Sequence, residues 1–155
     1  MKRLFLVLAL LATGTAYAGS STVYEKAVKL PLDTAYQQVS KSLDAHGFKV
    51  VHEINIGENL SKIADKLGSN YNKNQLQGIK SIIFCNGKYA NQISNLDPAM
   101  LALCPLHVTL IHKGDTTTVL FVRPGQVAHD SPAAPAAQEL EQSVVKAIES
   151  GLDAK

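Results

Sequence analysis

Apolar and polar positions follow a readable order along the chain. Val23 to Leu30 predicts a first strand, and Pro31 and Asp33 then open a helix with Asp33 as N-cap. Leu32, Tyr36, Val39 and Leu43 keep helical spacing until Gly47 ends it. Phe48, Val50, His52, Ile54 and Ile56 alternate with Lys49, Glu53 and Asn55, the signature of a half-buried strand. Leu60, Ile63, Ala64 and Leu67 predict a short amphipathic helix closed by Gly68, and the polar, amide-rich stretch from Ser69 to Gly78 predicts a loop.

The second half repeats these periods. Ile79 to Cys85 is apolar on both faces and reads as a central strand, and Tyr89, Ile93, Leu96 and Met100 suggest a helix after it. Leu106 to Lys113 and Thr116 to Arg123 flank Gly114-Asp115, a hairpin signal. Ser131 to Ala137 reads as a loop running into a C-terminal helix carried by Leu140, Val144 and Ile148. The order β-α-β-α-β-α-β-β-α predicts an α+β fold. A single domain over residues 19–155 is expected, with an antiparallel sheet of about five strands and helices mainly on one face.

The first 18 residues have a different character. Lys2 and Arg3 precede an apolar stretch of nine residues, Leu4 to Ala12, and Ala16-Tyr17-Ala18 offers small residues for a peptidase. A spanning helix needs about 20 apolar residues, so the segment reads as a signal peptide cleaved after Ala18. The expected location is periplasmic or secreted, with no membrane attachment after cleavage. Cleavage also removes the charge imbalance: 15 Lys+Arg against 13 Asp+Glu becomes 13 of each. A mature chain of zero net charge, with no basic cluster, has no field to draw nucleic acid.

Candidate chemistry centres on the two cysteines. Cys85 ends one predicted strand, and Cys104 precedes another, 19 positions on. In an oxidising compartment such a pair can form a disulfide, worth about 3 kcal/mol on the chain-entropy model, or stay as two inert thiols. The sharper alternative is a redox-active or metal-binding thiol pair. Cys85 precedes a predicted helix, and Lys88 is close in sequence, so both could lower a thiol pKa. His52 lies on the apolar side of its strand, where a hydrogen-bonded core residue is commoner than a ligand. His107 and His112 are five apart and face opposite sides of their strand. Asp97 serves the turn before Pro98. Arg123-Pro124-Gly125 reads as a turn, with a side possibility of an anion site at Arg123. No Gly-rich phosphate loop, no G-x-S-x-G elbow and no metal-ligand spacing occurs, so no catalytic set, cofactor or metal is expected.

Several motifs together resemble one family. Gly47-Phe48, Glu53-Ile54-Asn55-Ile56, Leu67-Gly68, Phe84-Cys85-Asn86 with Ala90, Asp97-Pro98, and Leu103-Cys104-Pro105 with Val108 are similar to the domain-of-unknown-function 302 (DUF302) family. The resemblance runs from about Val23 to Ile148. Three departures are visible: Gly87 stands where members carry Pro, Cys104-Pro105 reverses their Pro-Cys, and Arg123-Pro124 keeps the Pro of a final acidic-Pro segment but lacks the acid and the Met that often follows. The resemblance implies an α+β fold of the TATA-binding-protein-like kind, often a homodimer, and no known reaction.

Two functions follow as expectations. The first is a non-enzymatic module that binds a small ligand or a protein partner, itself included. The second is a thiol-dependent protein handling sulfur species, disulfides or a soft metal through Cys85 and Cys104, with Asn86, Lys88 and His52 as neighbours of the site.

Overall fold

The structure is a computed structural model and describes residues 22–154. The leader expected over residues 1–18 lies outside the described residues. Among those residues no helix is long and apolar enough to cross a membrane.

Five strands form one antiparallel sheet: β1 (Val23–Val28), β2 (Lys49–Asn55), β3 (Gly78–Cys85), β4 (Leu106–Lys113) and β5 (Thr116–Val122), in spatial order β1-β5-β4-β3-β2. The hairpin expected at Gly114-Asp115 joins β4 to β5, with Lys113 opposite Thr116. Gly114 has φ 63°, the left-handed backbone a tight turn asks of glycine. The run from Ile79 to Cys85 is interior, paired on both sides.

Helices α1 (Leu32–Ala45), α4 (Gly87–Leu96) and α6 (Ala134–Leu152) share a core with one face of the sheet. Short helices α2 (Ile56–Ser61), α3 (Ala64–Leu67) and α5 (Pro124–Val127), and 3-10 turns at Gly68–Asn70 and Pro98–Leu103, fill the connections. Ala35, Val39 and Leu43 of α1 meet Ile82, Phe84, Val108, Leu110, Val119 and Phe121 of the sheet. Leu140, Val144 and Ile148 of α6 complete the layer, as their spacing predicts. Phe48 locks one end, edge-on to Phe84 at 5.6 Å and stacked on Tyr89 at 6.4 Å.

Two local expectations change. Asp33 is not the N-cap of α1. Pro31 holds that position, no side chain caps it, and Asp33 instead sits in the first turn with its carboxylate on Lys80. There it still suits the positive end of the helix dipole. The alternation expected along β2 also breaks. A bulge between Val50 and His52 inserts Val51, so Val50 packs on the core while His52 and Ile54 turn to the opposite face. His52 is therefore exposed, not a core histidine.

The opposite face of the sheet carries no helix of the core layer. Ile54, Ile83, Ile111 and Leu120 lie half-buried there, and Val122 is exposed. The charges of that face, Glu25, Lys49 and Lys113, stand on the edge strands and at the hairpin end.

Candidate functional site

The sheet brings the two cysteines together. The last register pair of β3 and β4 is Phe84 with Leu106, so Cys85 and Cys104 flank the same strand ends. Both are free and half-buried, and their thiols are near enough to influence each other electrostatically. Burial pushes the Cys104 thiol above its ordinary pKa, and the neighbouring Cys85 adds to the rise. Lys49 is the register partner of Cys85 on β2.

The neighbours expected around the thiols have other duties. Asn86 is the N-cap of α4: its side-chain oxygen accepts from the backbone N–H of Lys88 at 3.0 Å and of Tyr89 at 3.2 Å. Its amide nitrogen donates to the Gly47 carbonyl at 2.9 Å. The Lys88 ammonium lies over the Tyr89 ring, 5.5 Å from the centroid. His52 pairs in register with Ile83, as His107 does from the other side, so two exposed histidines flank Ile83 on the open face. That face holds a recess of about 330 Å³ lined by Ile54, Ile83, Pro105, His107 and Thr109 among others.

The remaining polar groups singled out by sequence are structural. Asp97 accepts from Ala99 N–H at 3.1 Å and from the Ser131 hydroxyl at 2.6 Å, holding its turn as expected. Arg123 lines no anion site; its Nε lies 2.7 Å from a carboxylate oxygen of buried Glu141. His112 faces the core side, where its Nδ1 meets the Thr117 hydroxyl at 2.8 Å. That hydroxyl donates to the Leu30 carbonyl, which leaves His112 as the donor and fixes its tautomer. Among the described residues, no three His, Cys, Asp or Glu side chains gather as a metal site.

One cluster had no sequence signal. Lys80, the lone cation in an apolar strand, reaches back to Asp33 and places its ammonium 5.3 Å from the centre of the Tyr36 ring. The Tyr36 hydroxyl lies near Glu53, and burial first, then that carboxylate, push its pKa well up. Two recesses of about 730 and 770 Å³ adjoin this cluster and share Asp33 and Lys80. The first is rimmed by the amides Asn70, Asn72, Asn74 and Gln77. Only the position of Lys80, a cation inside a two-faced apolar run, could have drawn attention to it.

Comparison with known proteins agrees with this architecture. No curated protein matches the chain. The crystal structure of an uncharacterized conserved DUF302 protein from Bacillus stearothermophilus superposes with a TM-score of 0.72 at 16% identity, over 84% of this chain and 98% of that one. At that identity the likeness speaks for the fold. The profile described as "Domain of unknown function DUF302" matches residues 24–151, nearly the whole folded part. The chain belongs to the DUF302 family.

Proposed function

We propose that this is an exported, non-enzymatic binding module that engages a second copy of itself through the open face of the sheet. The observation that carries the reading is that face: a helix layer covers one side of five strands, and Ile54, Ile83, Ile111, Leu120 and Val122 remain on the other. These apolar side chains, interleaved with His52, His107, Thr109 and Thr118, have no helix of the core layer over them, and an uncovered apolar patch marks an interface.

Size and charge favour self-association. Strands about 4.8 Å apart and about seven residues long at about 3.3 Å per residue give a face on the order of 500 Å². A face-to-face pair would bury about 1,000 Å², the lower bound for a specific interface. A symmetric pair sets each patch against itself, which requires self-complementarity. A centre without Lys, Arg, Asp or Glu, with those charges at the margin, meets that requirement. Export rests on the leader-like residues 1–18.

The test is the oligomeric state of the mature chain, residues 19–155, by sedimentation across a concentration series. A dimer is expected, and Ile83→Asp should make it a monomer with unchanged circular dichroism. A wild-type monomer at every concentration, or a dimer indifferent to Ile83→Asp and Leu120→Asp, would overturn the reading. Mass spectrometry of the native protein checks cleavage after Ala18.

A further inference from the structure

We propose that Cys85 and Cys104 form a dithiol that exchanges with disulfides of other molecules, Cys85 attacking and Cys104 resolving. The reading is independent of self-association, and it rests on the placement of the two residues.

The thiols come from different elements. Cys85 is the last residue of β3, and Cys104 follows the 3-10 turn Pro98–Leu103. Their closeness is therefore a product of the fold, not of a short loop. Both are half-buried, so an outside sulfur can reach them. The two are neighbours, and no disulfide joins them.

Their surroundings differ in the direction exchange requires. Cys85 directly precedes the N-cap of α4, a ten-residue helix, and sits beside Lys49 in the sheet. At Cys104, burial and the adjacent Cys85 hold the proton on. Cys104 is thus the sulfur that waits, protonated, and Cys85 beside it is the one left to attack.

The chemistry balances with a disulfide R–S–S–R as the oxidant. The Cys85 thiolate attacks one sulfur, the S–S bond breaks, and R–S⁻ leaves, giving a mixed disulfide on Cys85. Cys104 then passes its proton to solvent or to the leaving thiolate and attacks the Cys85 sulfur. The second R–S⁻ departs and is protonated. The protein loses two protons and two electrons, and R–S–S–R gains them to become two R–SH.

The experiment equilibrates the reduced mature protein in glutathione buffers of increasing oxidised fraction, then traps free thiols by alkylation for mass spectrometry. Both thiols should disappear together, and excess reduced glutathione should restore them. Cys104→Ser should accumulate a glutathione adduct on Cys85, at least tenfold faster than Cys85→Ser does on Cys104. If a variant fails to fold, limiting alkylating agent on the wild type reports the same asymmetry, with Cys85 labelled first. The proposal fails if both thiols stay free at all ratios, if the bond once formed resists reduced glutathione, or if the two thiols react at equal rates.

Discussion

The Asn86 side chain donates to the carbonyl oxygen of Gly47 across 2.9 Å while its own oxygen caps α4. Gly47 closes α1 with φ 79°, and the N–H groups of Gly47 and Phe48 return to Asp44 and Leu43 at 2.9 Å each, a Schellman closure. One amide thus ties the end of one helix to the start of another, beside the thiol pair. Asn86→Ala should cost about 2 kcal/mol, the sum of a lost cap and an unpaired carbonyl. Asn86→Asp keeps the capping oxygen and loses only the donor, so it should cost about half as much. Urea unfolding of the three proteins gives the order, and an Asp variant as unstable as the Ala variant would contradict it.

Most of the fold is legible in the sequence because periodicity and burial coincide. The interior strand at Ile79–Cys85, the hairpin at Gly114 and the stripe of Leu140, Val144 and Ile148 follow from spacing alone. His52 does not, because the bulge at Val51 moves it to the open face, and one extra residue in a strand leaves no mark in an alternating pattern. The closeness of Cys85 and Cys104 was foreseeable only as adjacent strand ends. Whether the sulfurs meet depends on the register of β3 against β4. Lys80 was missed because its partners, Asp33 and Tyr36, lie more than 40 positions away on another element.

At Gly151, α6 packs tightly against α1. A β-carbon there would stand 2.8 Å from the Gln38 carbonyl oxygen and 2.9 Å from Ser42 Cβ. The Ser42 hydroxyl donates to the Ala147 carbonyl at 2.7 Å and holds the two helices at that separation. Gly151→Ala must push backbone away, and overpacking of this kind costs about 2 kcal/mol. Helix propensity works the other way by about 1 kcal/mol, so the net loss should be near 1 kcal/mol. Thermal unfolding decides it: a variant more stable than wild type would mean that the helices separate freely.

Glu141 is buried on α6 and accepts from Arg123 Nε at 2.7 Å and from Gly125 N–H at 3.0 Å. The end of β5 and α5 are fastened to α6 through this one carboxylate. Arg123→Ala leaves the buried charge with one donor and should cost about 2 kcal/mol, reduced from the fully buried case because Arg123 is 35% exposed. Glu141→Gln keeps one acceptor and should cost less than Glu141→Ala. Equal losses in the two Glu141 variants, measured by denaturant unfolding, would show that the carboxamide cannot replace either bond.

Tyr24 gives the fold a dependence on alkaline pH. Burial first, then Glu149, raise its pKa from 10.0 to about 12, and its hydroxyl donates to Glu149 at 3.2 Å. The folded state therefore holds this proton more tightly than the unfolded chain does. Stability from the contact is complete below pH 10 and is lost as pH rises toward 12, because the unfolded state releases the proton first. Tyr36 is shifted the same way and adds to the slope. Denaturant midpoints measured between pH 9 and about pH 12 should fall, and Tyr24→Phe should flatten part of that fall while lowering stability at neutral pH by less than about 1 kcal/mol. A wild-type midpoint constant across that interval, or a Tyr24→Phe profile parallel to wild type, would show that the Tyr24 proton is not linked to folding.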